Sequence, residues 1–309
     1  MKIKTKLSLI LVLTAVAVSL WGCNRGEKEQ NNKQLDDNAI ITLYQHESDE
    51  IVEITLGEYL CGVVAGEMDV NWPQEALAAQ AIVARTFTLE KIEAGGVAAR
   101  GTDASTDIHE FQAYQPQKIN ERVRKAVEET AGKAIYHNGN LIKAWFFADG
   151  GGQTAASAVE GLSYDKEATP YIQSVEDPGM NLEGNENKTW TAEFTMAELS
   201  AAVEKVNGQK KEKFTQVSIV ERGESGRAMK LQFDDIIVGV PALRLALGGE
   251  KMKSAMLTDI RIAEGKLKIT GKGYGHGVGM SQWGARALAE QGKTAEEIIH
   301  YFFKNVEIK

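Results

Sequence analysis

The chain has 309 residues, with 35 Lys and Arg against 43 Asp and Glu, for a formal net charge of -8. Hydrophobic residues at 43% and charged residues at 25% are globular proportions, which exclude a disordered chain and a polytopic membrane protein. Two cysteines rule out a disulfide framework and a Cys-based zinc cluster, and the acidic balance argues against nucleic acid or anionic lipid as the main partner.

Lys2, Lys4 and Lys6 precede an apolar run from Leu7 to Trp21. A membrane-spanning helix needs about 20 apolar residues, so this shorter run reads as a secretory leader. It ends in Leu20-Trp21-Gly22-Cys23, which resembles a bacterial lipoprotein signal with Cys23 as the lipid-attachment residue. The alternative is an uncleaved signal anchor. Either reading puts the rest of the chain outside the cytoplasm, tethered to a membrane. Residues 24–38 are polar and lack an apolar period, so they read as a tether. The folded body is expected over residues 39–309.

Two strands are predicted at Ile40–Tyr44 and Ile51–Leu56, followed by a helix over Leu56–Met68 from the spacing of Leu56, Tyr59, Leu60, Val63 and Val64. Pro73 reads as the first residue of a second helix that runs to Glu93 and stops at Gly95-Gly96. A polar loop spans Thr102–Glu110, and a charged amphipathic helix spans Asn120–Thr130. Asn138-Gly139 marks a hairpin, and a strand is expected from Ala144 to Phe147. A second half is expected from about Glu176-Asp177-Pro178. It contains a helix over Thr195–Val206 opened by a Thr195/Glu198 capping box, and strands at Gln216–Val220, Ala228–Phe233 and within Leu257–Ile269. Helices at Ser281–Gln291 and Thr294–Phe303 close the chain. Helices and antiparallel strands mix without a steady βαβ rhythm, which predicts an α+β fold rather than a doubly wound sheet.

Three segments carry candidate chemistry. Glu67 ends an apolar, Gly-containing segment, where desolvation would keep a carboxyl protonated near neutral pH, as a general acid requires; a surface Glu at a helix end is the plain alternative. Arg85 lies among Ala, Ile and Val, where it can be held close to a neighbouring backbone or acid and could bind a substrate carboxylate bidentately; a solvent-facing helix Arg is the plain alternative. Gly273 to Ala285 has glycine at every second position up to Gly279, which allows close approach of a ligand or another strand. It lacks the Lys and Ser/Thr of a phosphate loop, His276 has no second ligand at metal spacing, and Ser281 lacks the Gly-x-Ser-x-Gly frame of an esterase. Trp283 could stack on a sugar face or fill a core.

Three blocks in order resemble the stage II sporulation protein D family. They are Gly57 to Met68 continuing through Glu75 to Thr86, then Phe147-Ala148-Asp149-Gly150-Gly151-Gly152-Gln153-Thr154, and Gly275 to Ala285. The resemblance implies a lytic transglycosylase that cleaves peptide-stripped peptidoglycan glycan strands during engulfment at the sporulation septum. It also implies a cell-wall amidase and a membrane protein as partners. It assigns catalysis to Glu67 and Arg85, and suggests substrate contacts at Tyr114, Gly151, Gly152, His276, Ser281, Gln282 and Trp283. Some relatives bind zinc in the loop before Gln112-Ala113-Tyr114. Here Ser105 and Phe111 occupy the thiol positions, so no metal is expected, and no cofactor. The competing reading is a non-catalytic glycan-binding enhancer of an amidase.

Overall fold

Apolar residues at both ends of the chain and a separate apolar set between them build two cores within one α+β unit. The computed structural model describes residues 36–309, so the leader, Cys23 and nearly all of the expected tether lie outside the described residues. No helix among the described residues is long and apolar enough to cross a membrane.

The first core begins with an antiparallel hairpin, β1 (Ile40–Gln45) and β2 (Glu50–Thr55). Thr55 then caps α1 (Leu56–Glu67) by accepting the Glu58 N–H. Nearly the whole circumference of α1 is buried, and α2 (Gln74–Glu93) buries a continuous run from Ala76 to Thr86. Small Ala side chains at those positions let neighbouring helices approach from several sides, so α2 is the central post. Pro73 stands one position before the helix rather than at its first residue. β3 (Ala104–Ser105) joins β1 in parallel, and α3 (Glu121–Glu129) turns Val123, Ala126 and Val127 inward. The expected hairpin forms between β4 (Ile135–His137) and β5 (Asn140–Leu141), with both turn residues at positive φ. The expected strand at Ala144–Phe147 shrinks to β6 (Phe146–Phe147), and α4 (Ala158–Leu162) follows.

The second core runs from Trp190 to Ile269. β7 (Trp190–Thr195) leads through the capping box of Thr195 and Glu198 into α5 (Met196–Asn207). β8 (Val217–Arg222), β9 (Ala228–Phe233) and β10 (Ile236–Gly239) form an antiparallel sheet, closed by α6 (Val240–Leu247). β11 (Leu257–Ala263) and β12 (Lys266–Gly271) then complete a second antiparallel sheet with β7.

The chain finally returns to the first core. β13 (Met280–Ser281) pairs in parallel with β6, α7 (Gln282–Glu290) and α8 (Ala295–Phe302) pack on α2, and β14 (Glu307–Ile308) pairs with β4. The second core is thus inserted between the two parts of the first.

Candidate active site

Glu67 occupies the last turn of α1, anchored by the buried Val63 and Val64 just before it. Its Oε1 accepts the Ala113 N–H at 2.8 Å, and its Oε2 accepts a longer bond from Gln282 Nε2 at 3.4 Å. Burial pushes the carboxyl above the usual Glu range, and the two donated hydrogen bonds only partly oppose that shift. The side chain is half-buried, so the acid keeps a path to solvent.

Two glycines place the Ala113 amide. Gly62 and Gly66 lie four apart on one face of α1. A methyl group on Gly62 would run into the Tyr114 ring, and one on Gly66 would meet the Ala113 carbonyl carbon at 2.8 Å. Their bare face lets residues 113–115 lie directly on the helix, and Gln115 N–H donates to the Gly62 carbonyl at 3.0 Å. Tyr114 stacks on Tyr59 with centroids 5.7 Å apart. A depression of about 870 Å³ opens beside this segment and includes Ala113, Tyr114, Asp107 and His109 in its wall.

Gln282 arrives from the far end of the sequence. Ser281 caps α7 by accepting the Gly284 N–H, and Trp283 N–H donates to the Ala148 carbonyl at 3.0 Å. Trp283 meets Trp72 edge to face at 4.9 Å, and the Arg286 guanidinium lies over both indoles at 5.0 and 5.3 Å. Sequence reasoning passed over Trp72 and Arg286. The period of the final helices was the available signal, since it places Gln282 and Arg286 one turn apart.

Four expectations need correction. Arg85 is 0% exposed and cannot reach a substrate. Its Nε and one terminal nitrogen donate to the two Asp37 oxygens at 2.9 and 2.8 Å, and the remaining bonds go to the Lys133 and Val127 carbonyls. It anchors the start of the folded body instead, and Asp37, expected in the tether, belongs to that body. Ser281 is also fully buried, its hydroxyl committed to the α7 cap and the Ala148 carbonyl. The glycine run takes the second of its two expected uses, close approach to another segment: Gly279 lies against the Trp145 carbonyl, where no side chain fits. Gly151 is likewise buried under the Lys272 carbonyl, while Gly152 remains half-buried.

His276 is neutral. Burial, with the Arg244 charge second, lowers its pKa to about 3, and its Nδ1 accepts the Val278 N–H at 3.1 Å. In the loop before Gln112, Ser105 donates to Glu110, which pairs with Arg100, and the Phe111 ring packs edge-on to Tyr59 and Phe87. No group of three or more His, Cys, Asp or Glu able to hold a metal occurs among the described residues.

A network around Arg227 supports the glycine segments. This arginine is 1% exposed and donates to Ser225 and the Gly150 carbonyl. Asp177 accepts the Gly150 and Gly179 amides, and burial raises its pKa. Glu160 accepts from Ser225 and Ala156. These groups join the second core to the loop behind Gln282.

Comparison with known proteins finds sequence relatives over most of the chain. A family model described as Stage II sporulation protein matches residues 44–137, and one for a domain of unknown function matches residues 163–279. The stage II sporulation protein D of Bacillus subtilis is 30% identical over 292 residues, covering 87% of this chain and 78% of that protein. An uncharacterized protein of Brachyspira hyodysenteriae is 32% identical over 261 residues, covering 83% of this chain and 67% of that one. An amidase enhancer of Bacillus subtilis is 29% identical over 290 residues, covering 79% of this chain and 39% of that protein.

Proposed function

Because the chain belongs to the stage II sporulation protein D family, and hence to sporulation, we propose that it is a peptidoglycan lytic transglycosylase with Glu67 as its acid. The observation that carries this reading is the half-buried Glu67, whose carboxyl desolvation holds above the usual Glu range, in contact with both the Ala113 amide and Gln282. Protonated Glu67 donates to the oxygen that links muramic acid to glucosamine. The bond to the muramic anomeric carbon breaks, and positive charge develops there. The 6-hydroxyl of the same sugar attacks that carbon and closes a 1,6-anhydro ring, passing its proton to the Glu67 carboxylate. No water is consumed, and the carboxyl ends as it began. One carboxyl therefore suffices, unlike the two of ordinary glycoside hydrolysis.

The protein would act outside the cytoplasm at the sporulation septum, tethered through the residues before 36, on strands from which an amidase has removed the stem peptides. The relative named as an amidase enhancer favours a second reading, in which the site only binds glycan and stimulates an amidase. Mass spectrometry of digested, peptide-stripped strands decides between them. The native chain should yield 1,6-anhydro ends, and Glu67→Gln should yield none while remaining folded. Anhydro product from Glu67→Gln would overturn the acid role. Intact strands that the native chain still retains would establish the binding reading.

A further inference from the structure

We infer that Arg286 binds the carboxylate of an acidic sugar beside Glu67, with the indoles of Trp72 and Trp283 as its mount. The inference rests on the glycan reading of the site, and it gives Arg286 the task that the burial of Arg85 leaves vacant. Gln282 and Arg286 are four residues apart, so they share one face of α7. Gln282 on that face touches the candidate acid, and Arg286 follows it one helical turn along α7.

The guanidinium is oriented but not used up. Its central carbon lies 5.0 and 5.3 Å from the two indole centroids, and Nε donates to Glu290 Oε1 at 2.8 Å. The two terminal nitrogens make no hydrogen bond to any described residue, and the side chain is 25% exposed. A fork fixed at its base and open at its tips suits bidentate capture of a carboxylate. The Trp72 backbone is held by Arg122, which donates to its carbonyl at 2.7 Å. A neutral sugar offers this fork only single, uncharged acceptors, whereas a carboxylate matches both tips. Muramic acid without its peptide carries a free lactyl carboxylate beside the glycosidic linkage, so the subsite would select stripped strands over intact ones.

The test is binding by the full chain carrying Glu67→Gln, so that the strands survive. Three probes are used: peptide-stripped strands, the same strands with their carboxylates converted to methylamides, and chitin hexamer. The stripped strands should bind about ten- to a hundredfold more tightly than either neutral probe, the range expected for a charge-assisted bidentate contact. Adding Arg286→Gln should erase that preference, and Arg286→Lys, which keeps the charge without the fork, should retain part of it. Equal affinity for all three probes, or a preference that survives Arg286→Gln, overturns the subsite. Anhydro ends without the preference would leave the catalytic reading standing and this one lost. A preference that depends on Arg286, without anhydro ends, would do the reverse.

Discussion

Replacing Arg85 with Met should unfold the protein more readily without altering the chemistry at Glu67. The guanidinium is wholly buried and makes four hydrogen bonds, two of them to Asp37, whose side chain is 14% exposed. Removing one partner of a buried ion pair costs about 3–5 kcal/mol, because the other charge is left desolvated and unpaired. Slight access of water to Asp37 places the loss toward the lower end of that range. For a domain of this size the midpoint of thermal unfolding should fall by roughly 6–20 °C. Asp37→Asn should cost nearly as much, since it strands the Arg85 charge. The double variant should recover about 0.5–3 kcal/mol relative to the sum of the singles. Urea unfolding followed by tryptophan fluorescence measures all three, and glycan binding by the folded variants should match that of the native chain. Stability retained within about 0.5 kcal/mol, the range of a neutral surface change, together with lost turnover would refute the reasoning and return Arg85 to the substrate.

Other outcomes follow from the same geometry. The folded-state pKa of Glu67 lies above its unfolded value, so its contribution to stability is fully present below the unfolded pKa and lost as pH rises through the folded one. Glu67→Gln should therefore gain stability relative to the native chain as pH rises, and a constant difference across that window in pH-dependent urea titrations would contradict the desolvation. Turnover by the native chain should decline over the same rise in pH. Gly62→Ala should push Tyr114 off α1, costing about 1–3 kcal/mol in overpacking and displacing the Ala113 amide from Glu67. Calorimetry and turnover should both fall; full activity at unchanged stability would show that the segment lies elsewhere.

Features that depend on neighbours in sequence were legible before the structure. The spacing of Leu56, Tyr59, Leu60, Val63 and Val64 yields α1, the Thr195 and Glu198 pair yields the start of α5, and Asn138-Gly139 yields its hairpin. Short elements escaped. α6 has only eight residues and opens at Val240-Pro241, and β7 shows an alternation too brief to stand out beside α5. The insertion was visible only as a second half beginning near Glu176, because nothing local says that α7 and α8 return to α2. The site was partly legible for the same reason. Glu67 could be singled out by its apolar approach, but its partner Gln282 lies 215 residues away. A lone arginine in an Ala-rich helix fits either a substrate or an internal acid, and Asp37 decides between them from 48 residues upstream.

The interruption of one core by another sets an order of events. Every contact that α7 makes with Glu67 must wait until the last thirty or so residues have emerged and threaded back onto α2. A chain made from its amino end therefore carries Glu67 without its Gln282 partner until the final helices dock.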